Sequence, residues 1–269
     1  MAPFRLGTTS YIIPAGLAAN ARYLLGYVQD MELVLFDLED GTSNFPGADE
    51  VAELAAVGAR GLSYTVHLPL DLRLGAGGDE THPSLVKART VIDRTRVLEP
   101  WAYVMHLDGR ELLAAERAGQ ATAADVNAWQ DQAVRALALV ADWAGGPERL
   151  AVENLEHYPL DFILPVVARV PVSRCVDVGH LWLDDHDALP YLRAALPRTR
   201  VVHLHGLAER DHQSLAHLPL EKLKAVIALL VAEQYTGVLT LEVFGEDDFY
   251  SSLAALTAAL EAVGQGVTP

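Results

Sequence analysis

The sequence predicts a (β/α)8 barrel that occupies residues 1–269 as one domain. Short apolar runs of strand length alternate eight times with amphipathic stretches of helical period. No Ser/Gly-rich linker divides the chain, and its 269 residues suit one large domain. A doubly wound open sheet is the alternative. Against it, the stretch GTTSYIIPAG after the first predicted strand lacks the glycine spacing of a dinucleotide-binding turn.

The predicted elements alternate along the whole chain. The strands are residues 4–9, 32–38, 63–68, 102–107, 150–154, 173–178, 199–205 and 237–244. The helices are residues 17–27, 49–59, 84–98, 123–143, 159–169, 187–196, 220–233 and 250–263. Ser84 after Pro83, and Asp187 before Pro190, are residue types that start helices.

Composition narrows the class of protein. The net charge of −16 repels phosphate backbones, so we expect no nucleic-acid partner. No run of 18 apolar residues is present, and MAPFRLGTTS does not resemble a signal peptide, so we expect no membrane partner. The lone Cys175 suits a reducing compartment. We therefore expect a cytoplasmic protein that acts on a small molecule, with no expectation for its oligomeric state.

The stretch RCVDVGHLW, residues 174–182, is the strongest local signal for a site. An apolar run ends in Asp177-Val-Gly-His180, so a carboxylate and an imidazole follow a buried strand. These two groups suit a divalent cation. The alternative is that Asp177 caps the next helix and His180 packs beside it.

Other predicted strands also end in ionisable side chains. These are His67, His106, Glu153, the pair His203 and His205, and Glu242. Glu153 and Glu242 lie in apolar runs, where an unpaired carboxylate costs several kcal/mol. Salt bridges are the alternative explanation, but no Lys or Arg stands at a neighbouring predicted strand end. The strand ends therefore predict a site for divalent metal, Zn or Mn, of unspecified number.

Individual members of this set have different alternatives. His203 and His205 point the same way on a strand, so one can bind metal while the other contacts substrate. His67 and His106 could instead be hydrogen-bonded core histidines. His212 lies on the loop 208–217, where it could be a metal ligand, a general acid or base, or a surface residue. We expect its neighbours Arg210 and Asp211 to contact substrate. The remaining histidines are expected at the surface or at helix caps: His82, His157, His186 and His217.

Together these residues resemble the xylose isomerase-like TIM-barrel superfamily, which includes sugar isomerases, ketose 3-epimerases and endonuclease IV. The resemblance implies that Glu153, Asp177, His203 and Glu242 form a single-metal site of the epimerase type. It implies that His67, His106 and His180 add zinc ligands of the endonuclease type. The endonuclease also has an Asp-x-His pair after its seventh strand, whereas this chain has adjacent Asp211 and His212, which puts a third metal position in doubt.

Specific stretches are similar to the cobamide-remodelling phosphodiesterase family within that superfamily. They are RLGTTSYIIPA, residues 31–36, TVHLPLD, HLHG followed by RDHQSLAH, and LTLEVF. This resemblance implies hydrolysis of the nucleotide-loop phosphodiester of adenosylated cobamides to cobinamide phosphate and an α-riboside. Glu153 and Glu242 would then flank the metals, and His212 or Arg210 would meet the phosphate or protonate the leaving oxygen.

Two other functions use the same residues. In a single-metal isomerase or epimerase, Glu153 and Glu242 would face each other across a keto sugar and exchange a proton α to its carbonyl. A barrel that binds metal or sugar without activity is the non-enzyme alternative.

The residues around the mouth of the barrel indicate whether the substrate is large or small. The loop 70–82, the residues from Tyr11 onward, and Phe36, Trp182 and Phe244 predict a broad, partly apolar rim, unless they pack helices against strands.

Overall fold

Eight parallel strands form the inner layer of the computed structural model, which describes residues 2–38, 40–76 and 79–266. They are β1 (Arg5–Thr9), β2 (Asp30–Val34), β3 (Ser63–His67), β4 (Tyr103–His106), β5 (Leu150–Glu153), β6 (Ser173–Asp177), β7 (Thr199–Leu204) and β8 (Val238–Leu241). They pair in sequence order and close, because β8 also pairs with β1. The predicted (β/α)8 barrel is confirmed, and the open-sheet alternative is wrong.

Helices surround the strands. They are α1 (Leu17–Leu24), α2 (Ala48–Gly58), α3 (Pro83–Thr95), α4 (Arg110–Arg117), α5 (Ala123–Trp143), α6 (Leu164–Val167), α7 (Val178–Leu183), α8 (Ala188–Ala195), α9 (Leu220–Ala232) and α10 (Glu246–Ala262). The sequence did not predict the short helices α4 and α7, which begin four residues and one residue after the strands β4 and β6 end. Among the described residues, no helix has the length and apolar character that crossing a membrane requires.

Some predicted boundaries are wrong. The predicted helix 159–169 is helical only over Leu164–Val167, because Pro165 suits a first turn and not a helix interior. The predicted strand 32–38 ends at Val34 and begins earlier, at Asp30. Helix α3 is capped by the imidazole of His82, which accepts a hydrogen bond from the Ser84 backbone N–H at 3.2 Å, so Ser84 is not the cap. Asp187 caps α8 as predicted.

Side chains alternate between the two faces of each strand. One face packs against the helices, as do the fully buried Leu33, Val176 and Leu239. The other face points into the barrel, where Ala151, Cys175, Val201 and their neighbours form a separate small cluster. The small side chains of this cluster lie before the carboxyl ends of their strands. They leave room for larger polar groups at those ends.

Candidate metal centre

The candidate ligands stand at the carboxyl ends of the strands and face the barrel interior. Glu153, Asp177 and His203 each follow, by two residues, a small or branched side chain of the inner cluster. The period of two makes both side chains point to the same face of the strand. Thus the alternation that fills the barrel also directs these ionisable groups toward its axis, where they are buried.

The first group of ligands joins β3, β4 and β5. His67 and His106 each place Nε2 at 3.2 Å from the same oxygen, Oε2 of Glu153. One ligand atom of each residue lies within 4.8 Å of the others, a spacing that a single cation can bridge. The structure therefore brings together the two histidines that the sequence left open and the carboxylate of β5.

The second group consists of Glu153, Asp177, His203 and Glu242, all buried and with ligand atoms within 4.8 Å of one another. Nδ1 of His203 lies 3.2 Å from Oε1 of Glu153 and 3.2 Å from Oε2 of Glu242. The sequence predicted these four residues as a minimal site, and they do meet around one point. Glu153 shares its two oxygens between the first and second groups.

The third group joins Asp177, His180, His205 and His212. Nε2 of His205 lies 3.4 Å from Oδ1 of Asp177, and Nδ1 of His180 lies 3.5 Å from its Oδ2. The rings of His205 and His212 stack at 4.1 Å. His205 and His212 thus lie together at the place where the resemblance left a third metal position in doubt. Asp177 belongs to both the second and the third groups. His205, which the sequence left open between a metal ligand and a substrate contact, is part of this set.

Sequence reasoning missed Glu32 on β2. Its Oε2 lies 3.0 Å from Nε2 of His203, and it forms a further ligand group with His67 and Glu242. The missed signal was a carboxylate within the apolar run MELVLF. Asn154 was also missed: its side chain donates to the Asp177 carbonyl at 2.8 Å and accepts from the Asp177 N–H at 3.0 Å.

The loop after β7 carries the predicted substrate contacts. His212 lies inside it, with Nε2 at 3.3 Å from Glu242. Asp211 supports His212, because its Oδ1 is 3.3 Å from Nδ1 of that ring. Arg210 makes its hydrogen bonds within the same loop and lies 4.0 Å from Asp248, on the outer side. The structure thus joins His212 and Asp211 to the ligand groups and gives Arg210 contacts outside them.

The electrostatics of the cluster call for positive charge. Burial alone would raise the pKa of Glu153 and Glu242, but the surrounding imidazoles, His203 first, hold both values well below the usual range. Burial would lower the pKa of His180, yet Asp177 and the other carboxylates raise it to about 9. Protons on imidazoles therefore balance the buried carboxylates. Divalent cations compete for the same positions, since metal ligands must lose their protons.

Buried atoms without hydrogen bonds test whether a metal fits here. Among the described residues, Oδ2 of Asp177, Oε2 of Glu242, Oε1 of Glu32 and Nε2 of His205 make no hydrogen bond. An unsatisfied buried polar atom costs about 1–3 kcal/mol, and a bound cation would give these atoms a partner. Each belongs to one of the ligand groups. Mixed imidazole and carboxylate donors suit Zn²⁺ or Mn²⁺, and the residues present fit a divalent metal.

The chain belongs to the xylose isomerase-like TIM barrel family, whose sequence model matches residues 29–264. Members of this family are enzymes, and they typically bind divalent metals. No curated protein sequence matches the chain.

Solved structures resemble it over nearly its whole length. A D-tagatose 3-epimerase-like protein is 16% identical with a TM-score of 0.75, covering 97% of this chain and 98% of its own. The 3-keto-D-glucoside 4-epimerase from E. coli is 14% identical at 0.70, covering 95% and 98%. Endonuclease IV from Thermus thermophilus is 22% identical at 0.67, covering 96% and 99%. At these identities the likeness establishes the fold alone.

Proposed function

We propose that this protein is a metal-dependent phosphodiesterase that hydrolyses the nucleotide-loop phosphodiester of adenosylated cobamides. The observation that carries the hydrolytic proposal is the series of three ligand groups connected by Glu153 and Asp177. A single-metal enzyme needs only the second group. Adjacent groups that share carboxylates suit a site with two or more metals, which is typical of phosphatases and nucleases.

The roles of the side chains follow from their positions. Glu153 would contribute to the first and second ligand groups, Asp177 would contribute to the second and third, and Glu242 would complete the second. Bound divalent ions in such a site polarise phosphoryl oxygens and lower the pKa of water. His212, at the open edge of the site and 3.3 Å from Glu242, would hold the proton for the leaving oxygen.

Aromatic residues at the rim of the barrel favour a large substrate. Tyr11 lies between two other aromatic rings, with centroids 6.5 Å from Phe36 and 6.3 Å from Phe244. Phe244 is 36% exposed and also lies 5.9 Å from the ring of His212, so the aromatic surface adjoins the ligand groups. Such a surface could hold an apolar macrocycle above the metals. Trp182, predicted at this rim, is instead buried in the core.

The structure describes the loop after β3 only in part. Leu70 is exposed beside the mouth, and Leu74–Ala76 form a short 3-10 turn. Gly77 and Gly78, which belong to the predicted glycine-rich part, lie outside the described residues. The proposal of a corrinoid substrate therefore depends on the aromatic residues and on the resemblance of the quoted sequence stretches.

A sugar isomerase or epimerase is the second candidate. Glu153 and Glu242 both lie 3.2 Å from the same nitrogen of His203, so the two carboxylates flank one metal position. One could remove the proton α to a carbonyl and the other could return it. The similar structures include epimerases, which favours this candidate.

One experiment separates the candidates. The metal-loaded protein is incubated with an adenosylated cobamide and, separately, with free and phosphorylated ketoses, and the products are identified by mass spectrometry. We expect cobinamide phosphate from the wild type and none from Glu242→Gln or from chelator-treated protein. Epimerised ketose without cobinamide phosphate would replace the first proposal by the second. Full metal content without either product would favour a binding protein.

We expect three further properties of the protein. The whole chain, residues 1–269, forms one domain, and the protein acts in the cytoplasm on a small molecule. The single cysteine, Cys175, is free and buried, which suits a reducing compartment.

A further inference from the structure

A cavity of about 390 Å³ opens beside the first ligand group. His106 lies in its wall together with Arg110, Arg117, His157 and Tyr158. Glu156 also lines the cavity, and its carboxylate lies 3.5 Å from Nε2 of His180. The side chain of His106 keeps 16% of its surface exposed, whereas Glu153 behind it keeps 1%. The cavity is therefore an open approach to the metal ligands from the side of β4.

Two arginines of α4 line this cavity. Arg110, Leu113 and Arg117 stand at positions i, i+3 and i+7, so they share one face of the helix. A helix with this spacing presents two positive charges on either side of an apolar residue. These charges stand out because the protein as a whole is strongly acidic, with a net charge of −16.

Asp108 holds the guanidinium of Arg110 in place. Its Nε and Nη2 donate to Oδ2 of Asp108 at 2.7 and 2.6 Å, and Arg73 donates to the same oxygen at 2.6 Å. Tyr158 donates to Oδ1 of Asp108 at 2.8 Å. One carboxylate thus balances two guanidinium groups. Arg110 uses two of its five N–H donors there, so the others remain for a ligand.

Arg117 is held by a neutral group. Its Nη2 donates to the backbone carbonyl of His157 at 3.0 Å. His157 has a left-handed backbone, with φ at 64°, and its N–H and Nδ1 bond to Asp184 at 2.5 and 2.7 Å. These bonds fix the turn that positions Arg117. Because the partner is a carbonyl, this hydrogen bond leaves the positive charge unbalanced.

We propose that Arg110 and Arg117 bind the phosphoryl group of an anionic substrate and guide it onto the metal ligands at His106. Guanidinium N–H groups match phosphoryl oxygens in geometry and charge. The carboxylates of the site repel an approaching anion, and these arginines offset that repulsion on one side of the mouth. This inference rests on the proposed function, because it names phosphorylated compounds as the substrate class.

Isothermal titration with inorganic phosphate tests the inference without turnover. Metal-loaded wild type is compared with Arg110→Gln, Arg117→Gln and the control Arg169→Gln. Arg169 pairs with Asp131 at 2.7 Å between α5 and the segment after α6, so its replacement removes the same charge elsewhere. We expect each cavity variant to bind phosphate about tenfold more weakly or worse, and the control to change less than about twofold.

Metal content and thermal unfolding of each variant are measured in parallel, and both should stay at the wild-type level in Arg117→Gln. Arg117→Gln does not disturb Asp108, so its affinity for phosphate is the deciding measurement if Arg110→Gln folds poorly. Failure of the wild type to bind phosphate, or equal affinity in Arg117→Gln and wild type, would overturn the inference. Arginine-dependent binding in a protein that cleaves no phosphodiester would support it and contradict only the proposed reaction.

Discussion

The carboxylate of Asp177 serves two purposes toward His180. Its Oδ1 accepts a hydrogen bond from the backbone N–H of His180 at 2.7 Å and caps α7, while its Oδ2 makes no hydrogen bond and lies 3.5 Å from Nδ1 of the His180 ring. The sequence presented capping and metal binding as alternatives. The structure shows a cap and leaves one oxygen free for a cation.

Replacement of Asp177 separates the cap from the ligand. Asn can still accept the hydrogen bond but loses the charge, so Asp177→Asn should bind metal about 100-fold more weakly or worse. Asp177→Ala loses the cap as well. In metal-free protein, the free energy of unfolding of Asp177→Ala should therefore be about 1 kcal/mol lower than that of Asp177→Asn in a urea titration. Equal stability of the two variants would mean that the cap contributes nothing.

A methyl group at Gly179 should disturb the third ligand group. A Cβ there would lie 2.2 Å from Nε2 of His205. Gly179→Ala should lose about 1–3 kcal/mol of stability despite the better helix propensity of Ala, and it should bind less metal. Gly47→Ala is the control, since a Cβ at Gly47 meets nothing within 4 Å. Denaturant titration with metal analysis measures both effects, and a fully metallated, more stable Gly179→Ala would contradict this packing.

The loop 208–217 should affect turnover more than stability. His212→Ala removes the ring that lies 3.3 Å from Glu242, and Asp211→Ala removes its support. We expect cobamide hydrolysis to fall about 100-fold and several-fold, respectively, with the free energy of unfolding changed by less than about 1 kcal/mol. His217→Ala, an exposed change in the same loop, is the control. Unaltered rates would reduce this loop to a surface connection.

Asp108 should make stability depend on pH. Burial would raise its pKa, but hydrogen bonds from Arg110 and Tyr158 and the charge of Arg73 outweigh burial and lower it. A lowered folded pKa adds stability above the unfolded pKa of about 3.9, and this is lost as pH falls through the folded value. Asp108→Asn should therefore cost about 1–2 kcal/mol at pH 7 and progressively less as the pH falls below the unfolded pKa of about 3.9. A pH-independent difference in urea titrations would refute the ion-pair explanation.

The barrel and the side chains at its strand ends were predictable from the sequence. Alternating apolar runs and amphipathic helices bury their faces only by stacking in layers, and parallel strands place their carboxyl ends on one side. Glu153, Asp177, His203 and Glu242 were therefore predictable as neighbours. The period of two within each strand, together with the cost of an unpaired carboxylate, indicated that they face inward.

The contacts between side chains on distant strands were not predictable from the sequence. Glu32 and His203 are 171 positions apart and lie on strands that do not pair, yet their side chains meet at 3.0 Å across the barrel. His205 and His212 stack because the loop after β7 folds back on itself, and Trp182 enters the core with α7. Local periodicity fixes the face of a strand. Contacts across the barrel axis depend on closure and on the path of each loop, which no short stretch of sequence encodes.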